Sequence, residues 1–131
     1  IFALNKEERL NVRVLSFGYK YGVPREADVI TDMRFIKNPF YVSGLRELSG
    51  MDNEVIKYIE EQESFKLFFK DFLSLYKKIF PKFAKEGKNY LTIAFGCTGG
   101  IHRSVVMAEK FSKFINSESL TIHTDHRDLK K

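Results

Sequence analysis

The sequence predicts an α/β domain built on a small, mainly parallel four-stranded sheet flanked by helices. Three observations point there. β-type runs alternate with helical periodicity in the order strand, loop, strand, two helices, strand, helix, strand. The segments between strands are long enough to be crossovers, which join parallel neighbours. Most telling is the stretch from 90 to 106. Tyr90 to Phe95 is of β-forming character and runs straight into Gly96-Cys97-Thr98-Gly99-Gly100, and a helical run then begins at Ile101 or His102 and continues to about Asn116. Glycines there let backbone N–H groups converge, and a helix start adds unpaired donors and the positive end of its dipole.

The elements follow in order. Residues 1–11 read as an N-terminal lead or linker, with an apolar start, Ile1 to Leu4, and a charged run, Asn5 to Arg9. The alternation of Leu10, Val12 and Val14, continued by Leu15-Ser16-Phe17, predicts a first strand of about six residues. Gly18 to Pro24 is a glycine- and proline-punctuated loop. Val29-Ile30-Thr31 predicts a short second strand ending at Asp32, and 43–51 is irregular. Asp52 is placed to cap a helix from Asn53 to Glu61. Ser64 is placed to cap a longer helix from Phe65 to about Phe80, with Pro81 ending it or adding one more turn to Ala84. Apolar residues at three- and four-residue intervals, Phe65, Phe68, Phe69, Phe72, Leu75, Tyr76, Ile79, Phe80 and Phe83, give that helix a wide face for packing on a sheet. Leu120 to Thr124 predicts the last strand.

Composition sets the class. With 44% hydrophobic and 30% charged residues the chain has the mix of a globular domain, and no apolar run reaches the length of a membrane span. A single cysteine, Cys97, rules out an internal disulfide and fits a reducing, cytoplasmic setting. The net charge of +5 favours anionic partners. Lys66, Lys70 and Lys77 share one face of the long helix, and Lys130-Lys131 makes a short basic end, so these five are the candidate RNA contacts.

In a parallel sheet the loops at the carboxyl ends of the strands share one edge. Four meet there: 16–22, 32–38, 96–104 and 124–128. They offer Ser16, Lys20, Asp32, Arg34, Cys97, Thr98, Gly99, Gly100, His102, Arg103, Ser104, His126 and Arg127 to a phosphorylated small molecule, with Asp125 and Asp128 able to orient cations. His102, at the helix start, is expected to donate to the anion. An alternative chemistry lies in Cys97-x5-Arg103-Ser104, which matches the phosphate loop of cysteine-dependent phosphatases. There Cys97 would be the nucleophile, Arg103 the clamp, Ser104 an aid to the leaving thiolate, and Asp32 or Asp125 the general acid. A Walker A loop is absent, since no Gly-Lys-Ser/Thr follows the glycines, and so is the dinucleotide fingerprint. The spacing of Cys97 and His102 does not suit a zinc site, and no cofactor is expected.

Taken with their partners, these motifs resemble the C-terminal domain of the RapZ/YvcJ family of RNase adapter and nucleotide-binding proteins. The matching stretches are Ser16-Phe-Gly-Tyr-Lys-Tyr-Gly22-Val-Pro24, Asp32-Met-Arg34-Phe35, Asn38-Pro39, Gly50-Met-Asp52, Gly96-Cys-Thr-Gly-Gly100, His102-Arg-Ser-Val105 and His126-Arg-Asp-Leu129. On this resemblance 12–129 is the ligand-binding domain. The resemblance implies a non-catalytic regulatory domain that senses an amino-sugar phosphate such as glucosamine-6-phosphate and also binds small regulatory RNA. It further implies a P-loop NTPase domain elsewhere in the full-length protein and a homo-oligomeric assembly. Cys97 to Ser104 would form the ligand loop, and Ser16, Lys20, Asp32, Arg34, His126 and Arg127 would complete the pocket.

Overall fold

A computed structural model describes residues 9–131; the apolar lead and most of the charged run of the predicted linker lie outside them. Four strands, β1 (Leu10–Gly18), β2 (Val29–Asp32), β3 (Tyr90–Cys97) and β4 (Leu120–His126), form one sheet in the order β2-β3-β1-β4. Every pairing is parallel, with Gly18 opposite Cys97, Asp32 opposite Gly96, and Ser16 opposite His126. All four carboxyl ends therefore meet at one edge. β1 runs to Gly18 and is longer than its apolar alternation suggests, because pairing with β3 continues through the glycines.

Three helices, α1 (Asn53–Glu60), α2 (Glu63–Lys85) and α3 (Arg103–Ile115), complete the fold. Period-two alternation sends Leu10, Val12 and Val14 of β1, and Leu91, Ile93 and Phe95 of β3, into the main core. There they meet Val55 and Ile59 of α1, Phe65, Tyr76 and Phe80 of α2, and Met107 and Phe111 of α3. The sheet's second face carries a small cluster, Leu15, Phe17 and Ala94, closed by Tyr19 and Ala27. No helix among the described residues is long and apolar enough to cross a membrane.

Both ends of α2 and the cap of α1 differ from expectation for physical reasons. α2 begins at Glu63, one turn-position before the predicted Ser64 cap, with Gln62 as N-cap. It passes through Pro81 because Phe80 and Ala84 on either side are buried and Phe83 packs on the core. The partly buried Phe83 and the buried Ala84 thus add apolar packing that works against the roughly 3 kcal/mol that an internal proline costs. Asp52 precedes α1, but its carboxylate accepts the Ser49 amide at 2.8 Å and none of the helix N–H groups.

Candidate functional site

The site grows from the junction of β3 and α3. β3 ends at Cys97 and α3 begins at Arg103, so residues 98–102 form the connecting loop. Gly100 has φ +77, open only to glycine at low cost, and a Cβ there would stand 2.6 Å from the Gly18 nitrogen. A Cβ on Gly18 would in turn meet the Gly99 carbonyl carbon at 2.4 Å. The end of β1 and the loop thus press backbone to backbone. Outward, the loop's carbonyls hold its neighbours: the Lys20 amide donates to Thr98 at 3.1 Å and the Gly50 amide to Ile101 at 2.8 Å. By contrast, the amides of Gly99, Gly100, Ile101, His102 and Arg103 donate to no group among the described residues. Such a run of free donors at a helix N-terminus is the composition of an anion cradle.

Arg103, the first residue of α3, is 4% exposed. One guanidinium nitrogen donates to the carbonyls of Arg34 and Ile36 at 3.2 and 2.9 Å, and the other to the Thr98 hydroxyl at 3.3 Å. Its Nε is buried and has no hydrogen-bond partner among the described residues. Arg103 therefore ties the 32–38 loop to the glycine loop and retains one donor. Alongside lies a cleft of about 550 Å³ walled by Arg34, Lys37, Asn38, Tyr41, Thr98 and Arg103. A larger groove of about 640 Å³ runs between α1, α3 and β4 and is lined by none of these donors.

Cys97 is buried, on the helix face of β3. Its sulfur accepts the Ser104 amide at 3.4 Å and shares a hydrogen bond with the Ser104 hydroxyl at 3.1 Å. Nucleophilic attack would need this sulfur uncovered and the Arg103 fork released. Neither expected general acid sits suitably. Asp125 shares the second face of the sheet with its partner Arg13, to which it bonds at 2.9 Å, opposite the face that carries Cys97. Asp32 is near the edge, but its hydrogen bonds from Arg34 hold the carboxyl below the usual carboxylate range, and a general acid must keep its proton.

His102, the N-cap of α3, turns away from the loop's amides. Its Nε2 donates to the Leu48 carbonyl at 2.6 Å, and burial pushes its pKa below the ordinary value. This corrects the expectation of an anion-donating imidazole whose proton affinity is raised. Arg34 lies at the cleft with its fork on Asp32 and its guanidinium 3.9 Å from the Tyr19 ring centre. Lys20 is exposed, its ammonium 5.5 Å from the Tyr21 ring centre.

Three residues expected at the pocket are committed elsewhere. Ser16 is fully buried on the helix face, where its hydroxyl meets His126 Nδ1 at 2.6 Å. His126 Nε2 donates to Glu109 at 2.6 Å, which closes a Ser16–His126–Glu109 chain linking β1, β4 and α3. Arg127 grips Asp128 and the Gly22 carbonyl, at 2.8 and 2.6 Å. Of the basic candidates, Lys66, Lys70, Lys77 and Lys130 are exposed, and Lys131 pairs with Asp128 at 3.2 Å. No group of three or more His, Cys, Asp or Glu among the described residues is arranged to hold a metal ion.

A sequence profile described as the RapZ C-terminal domain matches residues 10–130. A nucleotide-binding protein of Endomicrobium trichonymphae is 50% identical over 123 residues, covering 94% of this chain and 43% of that protein. Proteins of the same name from Lactiplantibacillus plantarum and Carboxydothermus hydrogenoformans are 40% and 44% identical, over 99% and 96% of this chain and 44% of each relative. The chain thus spans less than half the length of these relatives. With its profile matched almost end to end, this chain belongs to the RapZ C-terminal domain family.

Proposed function

We propose that this domain is a regulatory sensor that holds the phosphate of a small metabolite on the 98–103 loop. The observation that carries the reading is the run of unpartnered amides from Gly99 to Arg103, joined by the buried, unpartnered Arg103 Nε. A phosphate needs several donors close together, and one short stretch of chain supplies them here from backbone amides and one arginine. The adjoining cleft, with Arg34, Lys37 and Thr98 on its walls, has room for a sugar-sized body, and the family resemblance favours an amino-sugar phosphate such as glucosamine-6-phosphate. The relatives are named nucleotide-binding proteins, and this chain spans only part of each, so nucleotide turnover is not assigned to it.

Titration calorimetry with glucosamine-6-phosphate and with inorganic phosphate tests the proposal. Binding that survives Cys97→Ser and collapses in Arg103→Ala supports a sensor. Hydrolysis of a phosphomonoester that disappears in Cys97→Ser would replace it with the phosphatase reading, and absence of binding by wild-type protein would end both.

RNA binding is a second activity, favoured by the exposed Lys66, Lys70 and Lys77 along α2. A phosphate grip of this kind weakens steeply with salt and carries no sequence preference by itself. Gel shifts lost on charge reversal at these lysines, yet retained in Arg103→Ala, would place RNA on a surface separate from the loop.

A further inference from the structure

We infer that Asp128 is a positioning residue for the glycine loop, acting through Gly18; this rests on reading that loop as the phosphate site. Asp128 is the one carboxylate fully withdrawn from solvent among the described residues. Its Oδ2 accepts the Gly18 amide at 2.8 Å. Gly18 is the residue pressed against Gly99 and Gly100, and the Asp128 Cβ lies 3.0 Å from where a Cβ on Gly100 would stand. Asp128 therefore backs the loop from behind while fixing the strand end on which it rests.

The turn that carries Asp128 is itself held. The Arg127 amide donates to the Ser16 carbonyl at 3.0 Å, just after His126 has been locked between Ser16 and Glu109. Arg127 and Lys131 balance the carboxylate at 2.8 and 3.2 Å, and Arg127 continues to the Gly22 carbonyl. One buried carboxylate thereby gathers the ends of β1 and β4, the 19–22 loop and the glycine loop.

Two physical effects of Asp128 oppose one another, which makes the inference testable by sign. A negative charge behind an anion site repels the anion, so charge alone predicts tighter binding once it is removed. Preorganisation predicts weaker binding, because the loop's donors lose their fixed direction.

The experiment titrates inorganic phosphate into wild-type protein, Asp128→Ala and Asp128→Asn, and follows the Gly99 and Gly100 amide resonances by ¹⁵N-¹H spectroscopy. The expected result is phosphate affinity at least about tenfold weaker in Asp128→Ala, with those two resonances shifted or broadened and α2 unchanged. Asp128→Asn falls between, since its amide oxygen still accepts from Gly18. Unchanged or tighter phosphate binding in Asp128→Ala, or unmoved Gly99 and Gly100 resonances, would overturn the inference. Should the alanine variant fail to fold, the sign of the change in Asp128→Asn decides. If wild-type protein binds no phosphate, the phosphate reading falls, and the two resonances still decide whether Asp128 sets the loop.

Discussion

The imidazole of His102 donates to the Leu48 carbonyl, and the Gly50 amide donates back to the Ile101 carbonyl. These reciprocal bonds fasten the irregular segment before α1 to the start of α3. They give the domain a titratable joint beside its candidate ligand loop.

The pH dependence of that joint has a definite sign. Burial, partly opposed by the Leu48 hydrogen bond, holds the folded pKa of His102 below its ordinary value near 6.5. The unfolded chain therefore takes up the proton first. The stabilising contribution is complete above about pH 6.5 and is lost as pH falls from there through the folded pKa. Urea midpoints at several pH values should fall more steeply over this acidic range in wild-type protein than in His102→Gln; parallel curves would refute the assignment.

At Gly100 both backbone angle and space exclude a side chain. Gly100→Ala should cost roughly 2 kcal/mol or more. At Gly99 a Cβ meets nothing within 4 Å, so Gly99→Ala should stay within about 0.5 kcal/mol of wild type. Thermal denaturation of the pair checks this, and equal losses would show that the loop is not pressed on β1 as described.

Arg103→Lys keeps the charge and loses the fork. A single ammonium cannot reach Thr98 and both carbonyls in the same geometry, so stability should fall by about 2 kcal/mol. Phosphate affinity should fall toward that of Arg103→Ala. Calorimetric rescue by lysine would mean that charge alone matters at this position.

Lys110 of α3 lies with its Nζ 4.6 to 5.9 Å from the ring centres of Phe65, Phe69 and Phe114, and 3.4 Å from Glu60. The ammonium thus joins α1, α2 and α3. Lys110→Gln is expected to cost about 1 kcal/mol, most of it from the rings, because the Glu60 pair is partly screened by solvent. A double-mutant cycle with Glu60→Gln should return a small coupling; one accounting for the whole loss would contradict this division.

Much of the scaffold was legible because its signals are local. The run Tyr90 to Phe95 into glycines marks β3, its loop and α3 together, and the spacing of the phenylalanines marks α2. The parallel order follows from crossover length. Which polar group at the shared edge finds which partner was not legible, since Arg127 has the same composition signal whether it meets a ligand or Asp128. Parity held an unused clue. Extending Leu10, Val12, Val14 by two puts Ser16 on the helix face, and Ile122, Thr124 likewise puts His126 there, away from open solvent. Glu109 was missed, and Gly50 was read only as part of a family stretch and not as a partner of Ile101, because nothing near them in the chain reports on a contact made across the fold.

Arg103 holds the 32–38 segment through the main-chain oxygens of residues 34 and 36, not through their side chains. Any amino acid placed at those two positions still presents a carbonyl. The wall of the cleft can consequently vary in chemistry at the exposed position 34, by mutation or by design, while its location stays pinned to α3; Ile36, buried in the core, is held by packing as well.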